Sequence, residues 1–140
     1  MACPYFYPVE ARAGSAMLPL GDWWKGLCHA VAGAPEEAGG TGCDTACNMG
    51  YARGACVRFP EGPGPDAVRF TISSHESGVI GIYYAVERDH HPFAQGRLEY
   101  SPAANAWVTP PETALLARQA EAYVESYLRR KKESRWKQNR

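Results

Sequence analysis

The segment AVRFTISSHESGVIGIYYAVE, residues 67–87, contains the clearest structural signal in the chain. Runs rich in β-branched and aromatic residues flank the piece SHESG, a pattern typical of two antiparallel strands joined by a turn. The pieces RLEY, residues 97–100, and NAWV, residues 105–108, are short enough to be edge strands. Together these segments predict an antiparallel sheet of about three to five strands.

The last part of the chain is predicted to be one long helix. Thr109 is a suitable cap, and the prolines that follow it are tolerated in a first helical turn. Beyond them, apolar and aromatic residues recur at helical spacing and form one stripe: Leu116, Ala120, Tyr123, Val124, Tyr127 and Leu128. We expect this stripe to pack across the sheet, which makes the fold class α+β.

The N-terminal half gives weaker signals. A helix that Asp22 caps and Gly33 ends is predicted, and its apolar face would contain Trp24, Leu27, Cys28 and Val31. The piece ACVRFP, residues 55–60, could be a short strand before the turn-forming EGPGPD. The remainder is rich in glycine and lacks periodicity, so this half is predicted to be irregular.

Length and composition fit one domain, because 140 residues with 45% hydrophobic side chains can bury a core without cross-links. We expect a cluster-binding or metal-binding half at 1–60, a hairpin and sheet at 61–108, and a helix with a basic tail at 109–140. The first residues show no basic leader followed by an apolar run, and no apolar run approaches the ~18 residues of a membrane span. The sequence therefore predicts a cytoplasmic protein that does not enter a membrane.

All five cysteines lie in the first 56 residues: Cys3, Cys28, Cys43, Cys47 and Cys56. An odd number leaves one thiol outside any disulfide framework, and a reducing compartment disfavours disulfides in any case. Clustered cysteines in such a compartment indicate metal binding or redox chemistry.

An iron–sulfur cluster fits this distribution best, because its four thiolate ligands can come from separate segments. Cys3 is followed by Pro4, as a ligand cysteine often is in bacterial ferredoxins. Glycines between Cys47 and Cys56 would let backbone N–H groups approach sulfur atoms. We predict one 4Fe–4S cluster as the cofactor, although a 2Fe–2S cluster takes the same number of thiolates. Cys43 is the predicted spare thiol and substitute ligand, and Cys28 is the alternative spare. The predicted ligands are Cys3, Cys28, Cys47 and Cys56.

Four thiolate ligands leave no open iron position, which favours electron transfer or redox sensing over catalysis. The chain would then act with a redox partner protein, for example as an accessory subunit of a larger oxidoreductase. Two alternatives stay open. One is a zinc-stabilised interaction module, although only Cys43 and Cys47 form a close pair. The other is a catalytic thiol beside Arg53 or His29.

A second candidate site lies in ERDHHPF, residues 87–93. If the strand stays extended here, Glu87, Asp89 and His91 share one face, with His90 next to them. Imidazole and carboxylate groups in such a set can bind a metal ion or move protons. The alternative is a polar loop at the end of a strand.

The C-terminal tail is strongly basic. Residues 129–140 carry seven Lys or Arg against one Asp or Glu, whereas residues 1–128 carry eight against fourteen. Such a tail could contact nucleic-acid phosphates or an acidic partner, with Trp136 as a stacking ring. The alternative is a solvated helix end whose cations interact favourably with the helix dipole.

Overall fold

The computed structural model describes residues 2–12, 18–31, 33, 35–38 and 44–138. Within these residues the strands are β1 (Phe6–Arg12), β2 (Trp23–Cys28), β3 (Glu36–Ala38), β4 (Ala67–Glu76), β5 (Val79–Arg88), β6 (His91–Ser101) and β7 (Ala106–Thr109). The helices are α1 (Asp44–Met49), which lies between β3 and β4, and α2 (Ala114–Gln138), which follows β7.

The second half contains a four-stranded antiparallel sheet with the strand order β4-β5-β6-β7. Its first hairpin turns at Ser77 and Gly78, with φ angles of 54° and 75°, and its second at Asp89 and His90, with φ angles of 52° and 64°. Positive φ at both central residues matches the right-handed twist of the flanking strands, which is why such two-residue turns favour hairpins. The predicted hairpin and antiparallel sheet are confirmed.

The first half contains a three-stranded antiparallel sheet with the order β1-β2-β3, so the prediction of an irregular half is wrong. The predicted helix after Asp22 is also wrong, since Trp23–Cys28 is the central strand of this sheet. Strands β1 and β2 approach each other closely at Gly26. A Cβ atom at this position would lie 1.9 Å from the Tyr7 carbonyl oxygen. Pairing with two neighbouring strands overrides the helical spacing of the apolar residues.

Helix α2 packs against both sheets and covers a single continuous core. Ala120 and Val124 of the predicted stripe are buried, and its other members pack at the edge of the core. The Tyr123 ring lies 5.8 Å from that of Phe70 in β4, and the helix also contacts β1. The helix begins later than predicted, with the Leu116 N–H donating to the Thr113 hydroxyl at 3.1 Å.

The α+β class, with an antiparallel sheet packed by a long C-terminal helix, is therefore confirmed. The predicted strand at residues 55–60 is a series of turns. In the described part of the chain, none of the helices combines the length and the apolar character needed to cross a bilayer.

Candidate metal centre

Cys3 lies between the two sheets and is fixed through its backbone. The preceding residue, Ala2, forms an antiparallel bridge with Val68 of β4, with N–H to oxygen distances of 2.6 and 2.8 Å. The Cys3 N–H donates to the Cys47 carbonyl oxygen at 3.0 Å. The Cys3 carbonyl oxygen accepts a hydrogen bond from Gln119 Nε2 at 2.8 Å. Helix α2 and helix α1 thus both hold this cysteine in place.

Cys28 ends β2, where it lies opposite Phe6 of β1 and Glu36 of β3. Interaction with Cys28 is the largest cause that raises the pKa of Arg58. Arg58 Nη1 also lies 2.8 Å from Glu36 Oε2. The thiol is half-buried, so this edge of the site is the partly solvated one.

Cys47 is buried on helix α1, and the next residue fixes that helix to the sheet. Asn48 Oδ1 accepts from the Trp24 N–H at 2.9 Å, and Asn48 Nδ2 donates to the Trp24 carbonyl oxygen at 3.0 Å. The Asn48 side chain therefore satisfies both backbone groups of a strand residue, as a neighbouring strand would. Since both residues are almost fully buried, this pair of bonds determines where α1 presents Cys47.

Cys56 lies in a tight turn that its own backbone stabilises. The N–H groups of Ala55 and Cys56 donate to the Ala52 carbonyl oxygen at 2.9 and 2.7 Å. Gly54 has a φ of 82°, a left-handed conformation that glycine adopts without a steric cost. Cys56 borders an open cavity of about 400 Å³, and the side chain of Val57 is 99% exposed. The half-buried Cys56 packs against the hydrophobic core beside this cavity.

Arg53 ties the Cys56 turn to the rest of the chain. Its Nε donates to Asp66 Oδ1 at 2.9 Å and its Nη1 to the Gly62 carbonyl oxygen at 2.8 Å. The Asp89 N–H, 2.8 Å from the other Asp66 oxygen, is the largest cause that lowers the pKa of Asp66, and the Arg53 bond lowers it further. An ionised Asp66 therefore joins this turn to the β5–β6 hairpin.

Cys3 interacts electrostatically with the three other described cysteines. Burial raises the pKa of the Cys3 thiol to about 12, and electrostatic interactions with the other three thiols act in the same direction. The Tyr5 backbone N–H donates to the Cys3 sulfur and lowers the pKa. Because such interactions weaken with distance, four residues that are far apart in sequence share one region of the fold. The three partners of Cys3 are Cys47, Cys28 and Cys56.

Thiolates are the ligands that soft metal ions and iron–sulfur clusters take from proteins. Thiolates raise one another's pKa, so all four can ionise together only near positive charge, which a metal supplies as it displaces the thiol protons. Among the residues described, no three or more His, Cys, Asp or Glu side chains already surround the position of a single ion. Cys43, the predicted spare and substitute ligand, lies outside the described residues.

The second predicted site is a hairpin turn. Asp89 and His90 form the turn, so the extended strand that would put Glu87, Asp89 and His91 on one face is absent. Instead, the His90 ring stacks on Tyr51 with centroids 4.2 Å apart, and Glu87 accepts a hydrogen bond from the Tyr51 hydroxyl. Burial, and then this bond, raise the pKa of Tyr51 to about 12. Metal binding at these residues stays a prediction.

The first cations of the basic tail contact the body of the protein. Asp22 is fully buried, and its Oδ1 lies 2.6 Å from Arg129 Nη2 and 3.1 Å from Arg130 Nη2. Ser126 Oγ donates to the other Asp22 oxygen at 2.7 Å. Trp136 lies beyond the residues whose side chains are described, and binding of a nucleic acid or an acidic partner by the tail stays a prediction.

Sequence reasoning missed four residues that position the two candidate sites: Asn48, Arg58, Tyr51 and Gln119. The first three lie within four positions of a cysteine, and this proximity was the one signal that could have indicated them. Gln119 lies four positions before Tyr123 on the buried side of α2. A polar residue inside an apolar stripe is a sign of a specific hydrogen-bond partner.

Comparisons with protein-family models, with curated proteins and with solved structures find no match to this chain. The class of protein must therefore be inferred from the arrangement of its own residues.

Proposed function

We propose that this chain binds one 4Fe–4S cluster through its four converging cysteines and acts in electron transfer or redox sensing. The observation that carries the proposal is the electrostatic interaction of Cys3 with three other thiols, each presented by a different part of the fold. Iron–sulfur clusters commonly take their thiolate ligands from separate segments. The proposed ligands are Cys3, Cys28, Cys47 and Cys56.

The surroundings of the thiols suit such a group. Cys3 and Cys47 are 7% and 9% exposed and belong to the hydrophobic core together with Phe6 and Trp24. The Tyr5 N–H donates to the Cys3 sulfur. Hydrogen bonds to ligand sulfurs and exclusion of water are the two means by which a protein sets the properties of a cluster.

A bound cluster with four thiolate ligands supplies reversible one-electron chemistry and no open iron position, which favours a carrier or sensor over an enzyme. Burial of the ligands is uneven, because Cys28 and Cys56 are half-buried and Val57 is fully exposed. A redox partner protein, or the larger oxidoreductase of which this chain would be an accessory subunit, would approach on that side. The proposed location is the cytoplasm, a reducing compartment in which thiols do not form lasting disulfides.

Purification without oxygen tests the proposal. We expect a brown protein with broad visible absorbance and about four iron and four sulfide ions per chain. A colourless protein that holds one zinc ion would overturn the cluster and support the zinc-stabilised interaction module instead.

Single substitutions test the ligand set. Cys47→Ser and Cys56→Ser should lose the iron and sulfide, whereas Cys43→Ser, a matched thiol-to-hydroxyl change in the same segment, should retain them. If Cys43→Ser loses the cluster and Cys28→Ser retains it, Cys43 is a ligand and the proposed set is wrong.

A further inference from the structure

Three polar side chains meet where the end of β4 packs against α2. His75 Nδ1 lies 2.9 Å from the Tyr127 hydroxyl oxygen and 2.9 Å from Lys131 Nζ. The His75 and Tyr127 rings contact each other edge to face, with centroids 5.6 Å apart. Tyr127 and Lys131 are four positions apart on the helix, so they share one face of it. All three residues are half-buried, and together they are called the His75 cluster.

The His75 cluster contains more hydrogen-bond donors than acceptors. A neutral imidazole has one ring nitrogen that accepts, and its single lone pair cannot serve both the Tyr127 hydroxyl and the Lys131 ammonium. If Nδ1 carries a hydrogen instead, it donates to the Tyr127 oxygen and offers Lys131 nothing to bind. Either protonation pattern therefore leaves at least one donor without an acceptor inside the cluster.

Lys131 also adds positive charge that the described carboxylates do not neutralise. The ion pairs in this part of the helix belong to Arg129 and Arg130, and their partners are Asp22 and Glu133. Among the side chains that the structure describes, no carboxylate forms an ion pair with Lys131, whose polar contact is the one with His75. A local surplus of positive charge attracts anions.

We propose that the His75 cluster binds a phosphate group. A phosphate group has negative charge and three oxygens that accept strong hydrogen bonds. Lys131 Nζ, the Tyr127 hydroxyl and a hydrogen on His75 Nδ1 each donate to one of these oxygens. Every donor of the cluster then has an acceptor, and Lys131 gains a counter-charge. The proposed site uses none of the cysteines, so it does not depend on the iron–sulfur cluster.

Titration of the full chain with inorganic phosphate at constant pH tests the proposal. The NMR signals of the His75 ring nitrogens report a new hydrogen-bond partner, and we expect them to move along a saturable curve. Those of His90, whose ring stacks on Tyr51, should stay in place. Sodium chloride at the same ionic strength should leave both sets unchanged. If the His75 signals follow chloride as closely as phosphate, the proposal is wrong.

Substitutions assign the binding to individual donors. Lys131→Gln removes the ammonium and should weaken phosphate binding about tenfold. Tyr127→Phe removes one hydroxyl and should weaken it about fivefold. Lys131→Arg keeps a cation with several donors and should bind within about threefold of the wild type. The matched control is Lys132→Gln, which removes the next cation, an exposed one, and should change binding by less than about twofold.

Equal weakening in Lys131→Gln and Lys132→Gln would mean that phosphate follows the overall charge of the tail, which would contradict the site. If circular dichroism shows that Lys131→Gln does not fold, the other two variants decide. Weaker binding by Tyr127→Phe and retained binding by Lys131→Arg support the proposal. Wild-type affinity in Tyr127→Phe, or loss of binding in Lys131→Arg, contradicts it.

A parallel titration with phosphoserine distinguishes two sources of the phosphate group. Tighter binding of inorganic phosphate identifies the free ion as the ligand, whereas tighter binding of phosphoserine identifies a phosphate carried by a larger molecule. Either result supports the site. If neither compound moves the His75 signals along a saturable curve, the proposal is refuted.

Discussion

The two sheets are held in place by different kinds of interaction. The β4–β7 sheet buries a row of aliphatic side chains, with Ile80 and Ile82 at 0% exposure, and long hairpins pair its strands. The β1–β3 sheet contributes Phe6 and Trp24 to the same core, and single polar contacts to other elements also position it, such as those of Asn48 with Trp24 and of Gln119 with the start of β1. Apolar packing is spread over many atoms, whereas a hydrogen bond depends on two. The cysteine-bearing half should therefore be the more sensitive to single polar substitutions.

The largest loss of stability should come from the core of the second sheet. Ile82→Ala removes a fully buried side chain and should lower the free energy of unfolding by about 3 kcal/mol in urea titrations, with or without bound iron. Val108→Ala on the edge strand, where the side chain is 56% exposed, should change it by less than about 0.5 kcal/mol. If both variants lose the same free energy of unfolding, the description of Ile82 as a core residue and Val108 as an exposed one is wrong.

A smaller loss of stability, with a larger effect on the site, should come from Asn48→Ala. The substitution leaves both backbone groups of Trp24 without their buried partners, which should cost about 2 kcal/mol and reduce the iron retained per chain. Gln95→Ala is the control, because Gln95 is an exposed amide that accepts a hydrogen bond from Tyr83. An Asn48→Ala protein with wild-type iron content would show that α1 does not depend on this contact.

Alkaline pH should destabilise the metal-free protein. The pKa of Cys3 is raised from 9.0 to about 12, so the unfolded chain loses this proton first and binds fewer protons than the native state above about pH 9. The free energy of unfolding should fall by about 1 kcal/mol at pH 10 and continue to fall towards pH 12.

Two variants test which side chain causes the fall in the free energy of unfolding at alkaline pH. Cys3→Ser should flatten the decline from pH 9 onwards. Tyr51, whose pKa is raised from 10.0 to about 12, has an effect of the same sign that begins at higher pH, and Tyr51→Phe should remove only that part. Denaturant titrations between pH 8 and pH 11 measure both, and a decline that persists unchanged in Cys3→Ser would contradict the assignment to Cys3.

The smallest loss of stability is expected at the end of α2, where two arginines contact Asp22. Arg129→Gln removes one of two arginines from the buried Asp22 and should cost about 0.5–1 kcal/mol, since Arg130 and Ser126 remain. Lys132→Gln removes an exposed cation and should leave thermal stability unchanged within error. A greater loss for Lys132→Gln than for Arg129→Gln would show that the contact to Asp22 does not anchor the helix.

Secondary structure was predictable where the local pattern and the tertiary pairing agree. The β4–β5 hairpin and helix α2 have periodicities that fit only one kind of element. The segment around Trp24 and Cys28 is ambiguous, because a short apolar run suits a helix face or a strand, and its partners β1 and β3 decide between them. Asp22, read as a helix cap, is a buried carboxylate because α2 supplies Ser126 and two arginines from more than a hundred residues away.

By itself, the sequence determined the fold class, the hairpin, the long helix and the restriction of every cysteine to the first half, since periodicity and composition are local properties of the chain. Only the tertiary structure decided that a second sheet forms and that Cys28, Cys47 and Cys56 interact electrostatically with Cys3. It alone also placed Arg58 beside Glu36 and Asn48 against the backbone of Trp24. These relations depend on strand pairing and side-chain hydrogen bonds between residues distant in sequence, and no local pattern encodes which distant groups will meet.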